Sequence, residues 1–291
     1  MTSDVSTVDL QQVEFELIGS VYPGFRNEDF SQTSVKLKFV FGAYFLFLGL
    51  YIMSHILASL TWTYRNLRTK EKIFWNLAIV RAVFGIFSGT VGAWAVFTTT
   101  ILDVDRVFGK NQTSYIALCA TVGFFIFECS AVLVSDFIYK SVSILLNIHH
   151  WLALIGYSCI LFEEAGHTFG TKGLLLEMST PFSALCWTLL KCGQEKSFLW
   201  KANQYLLVHT FHCRNVIEGY MWYMTYLSWD QISSSMPLGV FICLYTQLPI
   251  VTFVMTPYWT YKKTVQMINP VDWNFEKSSD VTKNGQAKKI V

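Results

Sequence analysis

The chain has 291 residues, 53% hydrophobic and only 14% charged, with a formal net charge of +2. A mean hydropathy of +0.38 and several apolar runs of about 20 residues exclude an ordinary soluble domain. They indicate an all-α polytopic membrane protein, since each run is long enough to cross the ~30 Å hydrocarbon layer as a helix. No basic run or basic–aromatic patch suited to nucleic acid is present, and the seven dispersed cysteines, without a Cys-x-x-Cys pair, argue against a disulfide framework or zinc ribbon.

Residues 1–36 are polar and acidic, with Asp4, Asp9, Glu14, Glu16, Glu28 and Asp29 against Arg26 and Lys36. A cleavable signal peptide would open on a basic region followed directly by an apolar one, so the first span is expected to act as the signal and stay in the protein. Seven spans are predicted, at roughly 37–60, 74–97, 114–135, 143–162, 173–190, 202–227 and 238–259. This divides the chain into an N-terminal segment (1–36), a first transmembrane helix (37–60), a helical membrane domain (61–260) and a tail (261–291).

Charge orients the spans. The 61–73 loop carries Arg65, Arg68, Lys70 and Lys72 against Glu71, the 191–201 loop carries Lys191, Lys196 and Lys201 against Glu195, and the tail after 260 has six lysines and three acids. The alternate loops are neutral or acidic. Because positive loops stay cytosolic, the N-terminus is expected in the lumen and the tail in the cytosol. Asn111-Gln112-Thr113 is then a glycosylation sequon in a lumenal loop. Lys288 and Lys289, the fourth and third residues from the C-terminal end, match a cytosolic dilysine signal that engages coat machinery and returns proteins to the endoplasmic reticulum.

Within the spans, Gly85, Gly89 and Gly92 form a small-residue stripe for close helix contact. Pro181, Pro249 and Pro257 are expected to kink their helices. Ionisable groups at membrane depth are costly, about 2.5–3.5 kcal/mol each on insertion scales, so their positions carry information. At ~1.5 Å of rise per residue, Arg81, Glu128, His149, His150 and His209 all fall about 10 Å from the cytosolic end of their spans, with His212 about 15 Å and His55 about 8 Å in. The stretch from Asp136 to His150 is the densest, with an acid, a lysine, an amide and two adjacent imidazoles. His209, His212 and Cys213 share one helical face, and Arg214 and Glu218, four apart, are expected to neutralise each other, as are Arg81 and Glu128.

A histidine in a partly dry site serves as a general base or accepts an acyl group as a nucleophile, and Asp136 is placed to orient one. The competing reading is structural, with the imidazoles bonded to neighbouring helices. Six histidines without tetrahedral spacing do not point to a metal. There is no Gly-x-Gly-x-x-Gly or P-loop, so nucleotide chemistry is unsupported; acyl-CoA or an acyl lipid as co-substrate needs neither, and no bound cofactor is expected.

Several strings resemble the TLC-domain (TRAM–Lag–CLN8-type) family, and within it the branch linked to neuronal ceroid lipofuscinosis. They are Arg-Ala-Val-Phe-Gly (81–85), His149-His150, Leu-Leu-Leu-Glu-Met-Ser-Thr-Pro-Phe (174–182), which includes Glu177, Phe-His-Cys-Arg (211–214), Pro-Tyr-Trp-Thr (257–260) and Asn-Pro-Val-Asp-Trp-Asn-Phe (269–275). The resemblance runs from about residue 55 into the tail. It implies a protein of the endoplasmic reticulum that cycles to the ER–Golgi intermediate compartment and supports lipid homeostasis and lysosomes. It also gives His149 and His150 the acyl-transfer role proposed for the adjacent histidines of ceramide synthases. Those enzymes carry paired aspartates ahead of the histidines, where this chain has only Asp136, so a lysophospholipid acceptor is as consistent as a sphingoid amine. Around the histidines, His209, His212, Arg81, Glu128 and Glu177 are the expected polar support. Two non-enzymatic alternatives stand beside this: a receptor that carries newly made lysosomal enzymes out of the endoplasmic reticulum, and a lipid-sensing scaffold.

Overall fold

A computed structural model describes Leu17, residues 28–140, 142, 144–272 and Phe275. Among the described residues there are helices and no strands. Three helices make the first long passes: α1 (Thr33–Ala58), α3 (Thr69–Phe97) and α5 (Gln112–Tyr139), with short α2 (Trp62–Asn66) and α4 (Ile101–Val104) in the turns between them. The 26 residues of α1 make it about 39 Å long at 1.5 Å per residue, enough for a bilayer. Next come α6 (Ile144–Glu163), α7 (His167–Gly173), a 3-10 segment (Leu174–Ser179) and α8 (Thr180–Lys191). The chain ends in α9 (Phe198–Leu227), α10 (Trp229–Ser235), α11 (Leu238–Ile250), a π-helical turn (Val251–Met255) and α12 (Thr256–Ile268).

Six passes are long and apolar enough to cross a membrane: α1, α3, α5, α6, the composite α7 to α8, and the composite α11 to α12. The seventh, α9, has 30 residues but a more polar composition, because its inward face carries Asn203, Gln204, Arg214 and Glu218. The all-α polytopic architecture therefore holds, and every predicted span has its helix. Most helices overrun the predicted bounds, because helices continue past the apolar core where end groups are capped. Asn111 Oδ1 accepts from the Ser114 backbone N–H at 2.9 Å at the start of α5, and Arg68 and Glu71 form a capping box on α3.

Contacts at the two ends fix the antiparallel order. At one end Lys36 of α1 donates to Glu164 at 2.6 Å and Lys110 bonds the same carboxylate, while Lys172 of α7 reaches Asp103 at 2.6 Å and Arg106 donates to Ser228 at 2.8 Å. Burial alone would raise the Glu164 carboxyl, but the bonds from Lys110 and Lys36 outweigh it and hold it down at about 2. At the other end Lys191 of α8 bonds both Glu71 and Asp272 at 2.6 Å, and Asp272 accepts from the Trp187 indole at 3.2 Å. Asp272 thus anchors the chain after α12.

The buried centre is α5, flanked by α1, α3 and α6. An aromatic layer fills it: Phe84 and Phe124 stack with centroids 3.8 Å apart and planes within 6°, and Phe47 closes on both edge-on. Offset and edge contacts of this kind add about 0.5–1.5 kcal/mol per pair beyond burial. Outward faces carry Phe41, Phe45, Ile52 and Ile86, as a lipid-exposed surface requires.

The prolines act as expected, at breaks. A proline lacks the N–H that a continuing helix needs, and Pro181 falls in the first turn of α8, directly after the 3-10 segment. Pro249 lies inside α11 and Pro257 in the first turn of α12, with the π turn between them. The glycine stripe of α3 seats the first of these breaks. A Cβ at Gly85 would lie 2.7 Å from Pro181 Cδ, and one at Gly92 would strike the Leu175 backbone, so α3 and the 3-10 segment meet at backbone distance.

Candidate functional site

The site forms where that break meets α6. His149 and His150 lie in the second turn of α6, and adjacent helical residues project about 100° apart. One imidazole therefore faces α5 and the other the 3-10 segment. His150, only 6% exposed, brings Nδ1 to 3.8 Å from Glu128 Oε1, and His149 brings Nε2 to 3.7 Å from Glu177 Oε1. Their ring centroids are 5.5 Å apart, and Phe125 touches both rings.

Each carboxylate is held from behind. Arg81 of α3 donates Nε to Glu128 Oε1 at 2.8 Å and a terminal nitrogen to the same oxygen, so the expected Arg81–Glu128 neutralisation is present. Glu177 Oε2 accepts from the Thr180 hydroxyl at 2.6 Å. Arg214 of α9, buried, donates to Ser179 Oγ at 3.4 Å. It lies between the rings of Phe211 and Trp259, 5.3 and 5.7 Å from their centroids, within electrostatic reach of Glu177 and Glu218. Trp259 also stands edge-on to His149 at 5.4 Å. Glu218, fully buried, accepts from Thr256 at 2.5 Å; among the described residues no ion pair joins it directly to Arg214.

The cluster is only partly satisfied. His149 Nδ1, His150 Nδ1, Glu128 Oε2, Arg214 Nε and Glu218 Oε2 are buried without a hydrogen-bond partner. Buried polar atoms are normally paired, so five unpaired ones on the residues of this cluster make it the candidate place for a polar ligand. Two turns further along α6, Tyr157 stacks on Phe125 and opens onto a cavity of about 70 Å³ lined by Gly173, Met221, Gln247, Leu248 and Val251. A polar centre thus adjoins an apolar slot. Among the described residues no group of three or more His, Cys, Asp or Glu is arranged to hold a metal ion.

The structure therefore brings together Arg81, Glu128, His149, His150 and Glu177. It does not bring in the rest. His209 and His212 lie on the exposed face of α9 with Cys213; His209 bonds the Tyr205 carbonyl at 2.8 Å and stacks on that ring. The face they share is the outward one, because the apolar and polar positions 204, 207, 211, 214 and 218 take the inward one. Asp136 meets Asn147 Nδ2 at 2.8 Å, not an imidazole, since it is two turns along α5 from Glu128. His55 bonds Tyr64 at 2.7 Å at the end of α1, outside the cluster. Asn111 is buried as the cap of α5. Lys288 and Lys289 lie outside the described residues. Reasoning from depth missed Ser179, Thr180, Thr256 and Trp259. Their signal was position: they flank the two proline breaks, and Ser179, Thr180 and Trp259 fall within the strings that carry the family resemblance.

The arrangement is that of a polytopic helical membrane protein with a buried histidine–carboxylate centre. Residues 74–264 match the TLC-domain model, and the chain belongs to the TLC-domain family. It is 39% identical to human Protein CLN8 over 263 residues, covering 89% of this chain and 92% of the relative. It is also 39% identical to the mouse Protein CLN8 over 249 residues, 85% and 86% of the two chains, and equally to that of the dog. No solved structure matches the chain.

Proposed function

We propose that the protein is an acyl-transfer catalyst of the endoplasmic-reticulum membrane, passing a fatty acyl group from an acyl thioester or acyl lipid to a lysophospholipid or sphingoid acceptor. The observation that carries this is the set of unpaired buried atoms on His149, His150, Glu128, Arg214 and Glu218 within the histidine–carboxylate cluster, beside an apolar slot. In this reading His149, oriented through Nε2 by Glu177, presents Nδ1 to the reacting centre. Nδ1 attacks the acyl carbonyl, the bond to sulfur or oxygen breaks, and the leaving group departs with the proton that the acylated imidazole gives up from Nε2. The acceptor hydroxyl or amine then attacks the acyl-imidazole, the carbon–nitrogen bond breaks, and the acceptor's proton is taken up as the imidazole is restored. His150 and Arg214 are the groups available to stabilise the oxyanion of each step.

Orientation follows from charge: Arg65, Arg68, Lys70, Lys72, Lys191, Lys196 and Lys201 gather at the end of the bundle nearer the histidines, which in this reading is cytosolic. A soluble acyl donor would reach the site from that side. Retrieval by Lys288 and Lys289 would keep the protein in the early secretory pathway.

The experiment is a lipidomic comparison of knockout cells that re-express either the wild type or the His149→Ala, His150→Ala double variant at equal level. Recovery of one lipid class, with its lyso-precursor falling in step, is expected only with the wild type. Equal recovery of lipids and lysosomal enzymes by both proteins would sink acyl transfer and leave the lysosomal-enzyme receptor as the working reading.

A further inference from the structure

A different feature lies toward the opposite end of the bundle, beside the cavity-lining residues Ile160 and Leu244. Cys159 of α6 and Cys243 of α11 face each other across the α6–α11 seam with their sulfurs 3.5 Å apart, and all seven cysteines are free thiols. Cys119 and Cys129 are buried and Cys192 and Cys213 exposed, while Cys186 bonds Gln204 and Gln266. Both facing thiols are half-buried, and they sit at matching depth, four residues before the end of α6 and five after the start of α11.

The seam is tight one turn away. A Cβ at Gly156 would lie 2.7 Å from Gln247 Oε1, so the Gln247 side chain of α11 rests against α6 where Gly156 and Gln247 line the cavity. A disulfide needs sulfurs about 2.05 Å apart and a Cβ separation near 3.8 Å. Closing the remaining ~1.5 Å takes side-chain rotation between helices already in contact.

We propose that Cys159 and Cys243 form a dithiol–disulfide site that bolts the histidine-bearing helix to the wall of the cavity. The oxidant is an organic disulfide. The thiolate of one cysteine attacks a sulfur of that disulfide, whose S–S bond breaks and releases one thiol. The second cysteine loses its proton, attacks the protein sulfur of the mixed disulfide and expels the other half as a second thiol. Two electrons pass from the protein to the oxidant, and the new bond closes a loop between residues 84 apart in sequence. The site does not depend on the acyl-transfer reading.

The test uses full-length protein purified in detergent, with Cys192→Ser and Cys213→Ser to remove the exposed thiols. A protease site replaces residues 194–196, between α8 and α9. The oxidant is 2,2′-dithiodipyridine, an apolar disulfide that enters the micelle. After oxidation and cleavage, the two fragments are expected to migrate as one species without reductant and to separate with it. The Cys243→Ser and Cys159→Ser variants should each separate under both conditions. Fragments that separate without reductant in the parent, with Cys159 and Cys243 recovered as maleimide adducts or as separate mixed disulfides, would overturn the proposal. So would fragments that stay joined in the Cys159→Ser variant, because Cys243 would then be linked to another cysteine.

Discussion

Loss of the Arg81 guanidinium tests whether the α3–α5 ion pair is support for the site or its machinery. Glu128 is fully buried, and its Oε1 takes two bonds from Arg81 while Oε2 has no hydrogen-bond partner. In Arg81→Met the carboxylate keeps only His150, at 3.8 Å, which is beyond hydrogen-bond reach. Breaking a buried pair by removing one partner costs about 3–5 kcal/mol, whereas replacing both by apolar groups is often neutral. At about 2–4 °C per kcal/mol for a chain of this size, Arg81→Met should lower the melting temperature in detergent by roughly 10 °C. Arg81→Met with Glu128→Leu should recover most of that loss. The double variant still deprives His150 of its carboxylate, so it should fold yet fail to restore lipids in knockout cells. A double variant as unstable as the single one, or a single variant that melts like wild type, would refute the reasoning.

The outward histidines give the opposite expectation. His209→Ala with His212→Ala should change stability by less than about 0.5 kcal/mol, as exposed substitutions usually do, and should restore lipids as the wild type does; failure in the lipidomic assay would return them to the site. The Glu164 clamp predicts a pH dependence. Its carboxyl ionises at about 2 against an ordinary 4.5. A depressed acid contributes stability that is fully present above about 4.5 and is lost as pH falls toward 2. Thermal melts should therefore fall across that window in wild type and be flatter in Glu164→Gln, which starts lower at neutral pH; parallel curves would contradict the clamp. On α3, Gly92→Ala forces the Leu175 backbone aside and should cost about 1–3 kcal/mol, with loss of function through the displaced Glu177. Gly49→Ala, whose Cβ meets nothing within 4 Å, should be neutral or gain up to ~1 kcal/mol of helix propensity; equal melting of the two variants would show that the close approach at Gly92 is absent.

Much of the site was legible before the fold. Apolar run length located the six passes that are long and apolar enough to cross a membrane, because the bilayer sets how long a helix must be, and the expected span at 202–227 is also a helix, though a more polar one. Depth along those passes put Arg81, Glu128, His149 and His150 at one level, since rise per residue is nearly constant. What one dimension cannot supply is rotation about each helix axis. Depth ranked His209 with His150, yet α9 turns His209 to the surface and Arg214 and Glu218 to the centre, because its apolar partners on α8 and α12 claim residues 204, 207 and 211. The same holds for Asp136, whose level was near the site but whose contact is Asn147.

The sequence by itself determined the class of fold, the order of the passes and the residues whose burial demands a reason, because hydrophobic length and the cost of buried charge are local properties. Only the tertiary structure decided which imidazole meets which carboxylate. That choice rests on the 3-10 break at Leu174–Ser179, held against Gly85 and Gly92, which turns Glu177 toward His149, and on the α5–α6 packing that turns Glu128 toward His150. The histidine–carboxylate contacts join residues 22 and 28 apart and the Gly85–Pro181 contact joins residues 96 apart, so they exist only once the helices have packed.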